Sequence, residues 1–252
     1  MILSSGTKKP KIHPNAYVAP TATISGEVTI EQGCAVLHGA VVTAEGAPVT
    51  IGADSVIMEN AVVKASGGSA TQFPVKVGER CIIGPHAYVV GATIGTGCFI
   101  ASGSRVFNGA VMEDGSGVAL GGIVHVNAHV LKNASVPMQH IAYGNPVKIV
   151  PPEKAAEVAR DLQFYENVFN IDSGDGARAK AALAYAQFLR KTHAQDTVLD
   201  AHANKAPVRR SAGEEPPKQQ TTEVDTVVDA MMLELQEMEL KRQEALKKKP
   251  KR

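Results

Sequence analysis

Three histidines, His38, His86 and His125, are the candidate general bases or metal ligands of this chain. An imidazole titrates near neutrality and, when neutral, offers a lone pair to a proton or a metal. Glu45, Glu59 and Lys64 lie between His38 and His86 in the sequence. A cluster of His38, Glu59 and His86 would present two imidazoles and a carboxylate to one divalent ion. His13, His129 and His140 fall nearer the two ends of the same Gly-rich stretch. The cysteines, Cys34, Cys81 and Cys98, are odd in number and show no CxxC spacing. They therefore read as core-filling thiols rather than as a zinc site or a disulfide framework.

The elements that must position these residues are set by a six-residue period. Aliphatic rungs fall at Ile12, Val18, Ile24, Ile30, Val36 and Val42, then at Ile51, Ile57 and Val63, then at Val77, Ile83 and Val89. A five-residue step leads to Ile94, Ile100, Val106, Met112, Val118, Val124, Val130 and Val136. The residue four after a rung is usually small, and each cysteine occupies such a place. A helix would repeat near 3.6 residues and a half-buried strand near two. A hexapeptide period of one branched aliphatic and one small residue predicts a parallel β-helix, three short strands to a coil. The coils stack at about 4.8 Å. Two interruptions, Thr43–Thr50 and Ala65–Lys76, are expected to leave the coils as loops. Eighteen residues per coil places Thr43, Lys64, Val90, Phe107 and His125 in one outward column. His38, Glu59, Pro85 and Ser102 form a second column at the preceding corner.

Composition divides the chain. Residues 1–150 hold 20 of the 23 Gly with 9 basic and 8 acidic residues, and residues 151–252 hold 17 of each sign. The expected domains are a β-helix over 1–150, C-terminal helices over 151–200 packed on it or on a neighbouring subunit, and a linker with a charged helical tail over 201–252. Glu153–Asn170 reads as one amphipathic helix with Ala156, Ala159, Leu162, Phe164 and Val168 on its face. Ala177–His193 reads as a second, with Ala182, Leu183, Ala186, Phe188 and Leu189. Residues 203–222 read as a linker. Residues 223–247 read as a Met-containing helix suited to partners, and a basic tail follows. The net charge of +1 argues against nucleic acid as a partner, and no apolar run has the length of a membrane span. The opening MILSSGTKKPKI lacks a long apolar segment, so no leader is expected and a cytoplasmic location follows.

Residues 12–150 resemble the hexapeptide-repeat proteins with a left-handed β-helix, and among them the γ-class carbonic anhydrases. GAVVTAEGAPVTIGADSVIMENAVVKA (39–65) is similar to that group's GAVLRGD…IxIGxxTNIQDxxVVH segment. VGERCIIGPHAYVVGATIG (77–95) is similar to its IGxxxxIGHxAxLHGCxIG segment, and YGNPVKIV (143–150) to its GxPAK closure. The resemblance implies a homotrimer with sites between subunits. It also implies three His on a divalent metal whose bound water becomes the hydroxide that attacks carbon dioxide. Those three positions are held here by Lys64, Pro85 and Val90. The supporting Arg, Asp and Gln positions are Thr43, Glu45 and Met58. Pro and Val carry no ligand atom and Lys is protonated at neutral pH. No metal or other cofactor is therefore expected, zinc entering only through a rebuilt site.

The resemblance thus implies a γ-carbonic anhydrase-like scaffold or assembly subunit without hydratase activity, Lys64 pairing with Glu45 and Glu59 where a metal would sit. Catalytically silent β-helices of this kind resemble subunits of dynactin and of respiratory complex I. The alternative is an acyl-CoA-dependent hexapeptide-repeat acyltransferase, with His38, His86 or His125 as base and the GGIVH run (121–125) beside Asn127 lining a pantetheine groove. Protein partners are expected at the C-terminal helices and at the β-helix ends.

Overall fold

The computed structural model describes residues 1–67, 71–162, 164–172 and 174–199. The expected linker at 203–222, the helix at 223–247 and the basic tail lie outside the described residues. The chain is a left-handed parallel β-helix of about 8 turns. Its three faces are sheets of 11, 7 and 7 strands. The first sheet starts with Ile2–Ser5, the second with Lys11–Ile12 and the third with Tyr17–Val18.

The register follows the hexapeptide period. In the first sheet Val42, Val63, Val89, Val106 and Val124 stack on one another. In the second, Ile30, Ile51, Val77, Ile94, Met112 and Val130 do so. Val36, Ile57, Ile83, Ile100 and Val118 stack in the third. All of these are buried in one continuous core. Each Val or Ile withdrawn from water stabilises the fold by about 1.5–3 kcal/mol. Branched side chains keep few rotamers and stack on themselves with little further loss of freedom.

Glycines on the second sheet allow the coils to close. A Cβ on Gly78 would lie 2.7 Å from the carbonyl carbon of Gly95 in the next coil, so no larger residue fits.

The two interruptions are shorter than the period suggests. The strand Val41–Ala44 runs on through Thr43, leaving Glu45–Pro48 as the excursion. The strand Val62–Gly67 continues past Ala65 and turns back through Gln72–Phe73 in an antiparallel pair. Strand pairing satisfies backbone groups that a bare loop would leave open.

After the strand Lys148–Val150 come a 3-10 turn at Pro152–Lys154 and three helices: α1 (Ala155–Asp161), α2 (Phe164–Phe169) and α3 (Ala177–His193). The expected single helix over 153–170 is thus interrupted after Asp161. Its buried residues are Val158 and Leu162, which pack with Val126 and Ile141 of the β-helix. Ala156, Ala159 and Phe164 are exposed. On α3 the buried side is Ala177 and Ala181, continued by half-buried Tyr185, Phe188 and Leu189, whereas Ala182, Leu183 and Ala186 face outward. Alanines on every side of α3 leave no apolar stripe to read, and the bulky Tyr185 at i+4 from Ala181 marks the side that packs.

A strand follows that the sequence pattern does not announce. Asp196–Leu199 pairs antiparallel with Ile2–Ser5 and covers the outer edge of the first sheet. Such cover protects an open edge from pairing with another chain. Among the described residues no helix is long and apolar enough to cross a membrane.

Candidate functional site

Strand pairing puts Thr43, Lys64 and Val90 side by side on the outer surface of the first sheet. Phe107 and His125 follow Val106 and Val124 in the same column. Each is the residue after a core rung, and strand alternation turns it outward. The column is not open along its length, because α2 and α3 of the same chain lie over its middle.

Glu45 opens the short excursion two residues past Thr43 and is 9% exposed. Lys64 Nζ lies 2.8 Å from Glu45 Oε2. The Tyr185 hydroxyl of α3 donates to the same oxygen at 3.1 Å, and Lys64 Nζ sits 5.6 Å from the centre of the Tyr185 ring. His193, in the last turn of α3, holds Asp196 Oδ2 at 2.8 Å through Nδ1 and faces Glu45 Oε1 at 3.9 Å through Nε2. Gly46 makes the close approach of α3 feasible: a Cβ there would lie 2.7 Å from the Phe188 ring.

These contacts fix the charge states. Burial works against the Lys64 ammonium, but the hydrogen bonds and charge of Glu45, together with Tyr185, outweigh it and hold the pKa above the ordinary 10.5. Burial pushes the Tyr185 phenol up, so it remains a donor. Thr43 Oγ1 and Asp196 Oδ1 are buried without a hydrogen-bond partner. Lys64 pairs with Glu45 alone: Glu59 takes no part in an ion pair among the described residues.

The histidines are not brought together. His38 is exposed, with Nδ1 2.9 Å from Thr21 Oγ1. His86 is exposed at a coil corner with φ 56°, its N–H donating to the Glu59 carbonyl at 3.0 Å. Among the described residues no three His, Cys, Asp or Glu side chains are grouped to hold a metal ion. The cluster of His38, Glu59 and His86 is therefore not formed within one chain. The backbone stacks these positions, but the corner leaves the His38 and His86 side chains exposed to solvent. His125 is half-buried and stacks on Phe107 with ring centres 5.3 Å apart. Its Nδ1 accepts the Val126 N–H at 2.8 Å, which places the ring proton on Nε2. Burial lowers its pKa and keeps it neutral. Pro85 is half-buried at the corner after the third sheet. The three cysteines are buried and donate to carbonyls of the next coil, Cys81 Sγ to Gly95 at 3.0 Å among them.

Sequence reasoning missed Tyr185, His193 and Asp196. The first was detectable as the large member of the stripe Ala177, Ala181, Tyr185. The other two depend on the unannounced strand that returns the chain to the first coil.

No family profile matches the chain. Among curated proteins it is 27% identical over 192 residues to γ-carbonic anhydrase 1, mitochondrial, of Arabidopsis thaliana, spanning 74% of this chain and 68% of that one. It is 35% identical over 111 residues to the carboxysome assembly protein CcmM of Synechococcus elongatus, spanning 41% of this chain and 21% of that one. A solved hexapeptide transferase family protein from Anaplasma phagocytophilum superposes with TM-score 0.46 at 22% identity, over 73% of this chain and 97% of that one. The rungs and the stacked register make the chain a hexapeptide-repeat β-helix protein, and its curated relatives make it similar to the γ-carbonic anhydrases.

Proposed function

We propose that this protein is a γ-carbonic anhydrase-like scaffold or assembly subunit, a homotrimer without carbon dioxide hydratase activity. The observation that carries the reading is the state of Lys64. It stands at the first ligand position of the resembled site, and its ammonium is committed to Glu45 at 2.8 Å. A protonated amine has no lone pair for a metal. Pro85 and Val90 supply no donor atom at the other two positions. The residues present do not fit the three-imidazole zinc site, and no hydration step runs through them.

The scaffold part is supported by the third sheet. Tyr17, Ile82 and Phe99 are exposed there, with Leu120 and Met138 exposed at the adjoining corner. Ile82 and Phe99 are direct neighbours in the ladder. Exposed apolar patches of this kind mark protein contacts. One relative is itself named an assembly protein. We place the protein in the cytoplasm; the plant relatives are named mitochondrial, and cell fractionation separates the two.

The test is the metal content per chain of tag-free protein purified without chelator, read by elemental mass spectrometry beside a hydratase assay. Negligible zinc, iron or cobalt with no hydratase rate is expected. About one metal per chain, in line with a complete site, would overturn the reading. Native mass spectrometry checks the trimer.

A further inference from the structure

A hollow of about 180 Å³ lies between the first sheet and the helices. Val90 and Phe107 form its sheet side, and Phe164, Phe169 and Tyr185 its helix side. Lys64, Ser66 and Asn108 are polar residues on its lining, beside the tyrosines Tyr88 and Tyr185. Dry apolar cavities of about 150 Å³ take up benzene, so this volume suits one six-membered ring. Aromatic walls favour stacked and edge-on contacts with such a ring.

The polar end selects further. Asn108 is 4% exposed and gives one N–H to Ser66 Oγ. Its carboxamide has a second N–H and a carbonyl, and it forms no other side-chain hydrogen bond among the described residues. Lys64 is already neutralised by Glu45. A carboxylate guest would set a second anion beside that glutamate and meet like-charge repulsion. A neutral hydroxyl or carbonyl meets none.

We infer that this hollow is a binding site for an uncharged single-ring aromatic molecule bearing one hydroxyl or carbonyl group, the phenol class. The site is built from one chain and stands whether or not the protein binds metal.

The experiment titrates full-length protein with phenol, benzene and benzoate by ligand-observed NMR. Phenol is expected to saturate with Kd about 1 mM, within the ceiling for a ligand of so few atoms. Benzoate is expected to bind at least about tenfold more weakly, the repulsion beside Glu45 setting the difference. Val90→Phe fills the hollow and is expected to weaken phenol at least about tenfold, since a packed site leaves no room for the ring. Far-UV circular dichroism checks that this variant folds, and Val168→Phe fills the hollow from the helix side if it does not. Absence of saturation, benzoate as tight as phenol, or unchanged phenol binding in a folded filled variant would overturn the inference. The last result would locate phenol in the neighbouring hollow beside Gln72 and Phe188. Titrations with and without chelator read a bound metal separately from an empty hollow.

Discussion

Lys64→Met tests the candidate site most directly. At 2.8 Å and an effective dielectric of about 20, the attraction between Lys64 and Glu45 is about 6 kcal/mol. Taking each ion out of water costs several kcal/mol, so the intact pair contributes little net stability. Removing one partner is a different matter. Glu45 would remain, 9% exposed, with the Tyr185 hydroxyl and with His193 at 3.9 Å as its side-chain partners among the described residues. Loss of one member of a buried pair costs 3–5 kcal/mol, and the 20% exposure of the Lys64 side chain puts the expected loss near the lower end, about 3 kcal/mol. The double variant Lys64→Met with Glu45→Met removes both charges and is expected to cost only about 1 kcal/mol, chiefly the lost acceptor of Tyr185. Urea denaturation followed by circular dichroism, at one fixed protein concentration, measures Lys64→Met, Glu45→Met and the double variant. A single-variant cost below about 1 kcal/mol, or a double variant that costs the sum of its singles, would refute the pairing argument. The pH dependence has a definite sign. Because the folded pKa of Lys64 is raised above 10.5, its stabilisation is complete below that pH and is lost as pH rises through the folded value. Lys64→Met abolishes this alkaline loss.

Four further outcomes are expected. His125, whose pKa burial lowers, should titrate below 6.5 in an NMR experiment on imidazole carbon-bound protons. Its contribution to stability is then complete above the unfolded pKa and declines as pH falls from there toward the folded value. Gly78→Ala forces a Cβ to 2.7 Å from the next coil's backbone and should cost about 2 kcal/mol by overpacking. Gly174→Ala, with nothing within 4 Å, should stay within about 0.5 kcal/mol of wild type in the same denaturation assay. Ile83→Ala opens a void in the fully buried third-sheet stack and should cost about 3 kcal/mol, read as a lower urea midpoint.

The inward half of this molecule is legible from sequence because its physics is local and periodic. Each rung meets the third rung after it, so Val63 is bound to lie between Val42 and Val89. One insertion, as at Glu45–Pro48, delays the count without changing the partner. The outward half obeys no such period. The contact of Tyr185 with Glu45 spans 140 residues, and that of Ser4 with Thr197 spans 193. Nothing in the spacing of α3 states which column it will cover. The helix face was misassigned for the same reason: Leu183 looks apolar in sequence but has no wall opposite it, while Ala181 has one.

This separation of inside from outside also explains how a hexapeptide-repeat β-helix can hold very different side chains in its outward column. Val42, Val63 and Val89 pay no energetic attention to whether the residues after them are imidazoles, a lysine or a valine, since alternation turns those side chains to the other side of the sheet. The column answers instead to whatever packs over it. Here α3 brings Tyr185 above Lys64 and His193 beside Glu45, and the return strand brings Asp196 onto His193. Two carboxylates, one ammonium and one imidazole then share a poorly hydrated space, where an unpaired charge is costly. A histidine placed at position 64 would leave the buried Glu45 without its ammonium partner. A set of imidazoles in this column would need Glu45 and the helix cover to change together, because the ammonium of Lys64 and the hydroxyl of Tyr185 both serve that carboxylate.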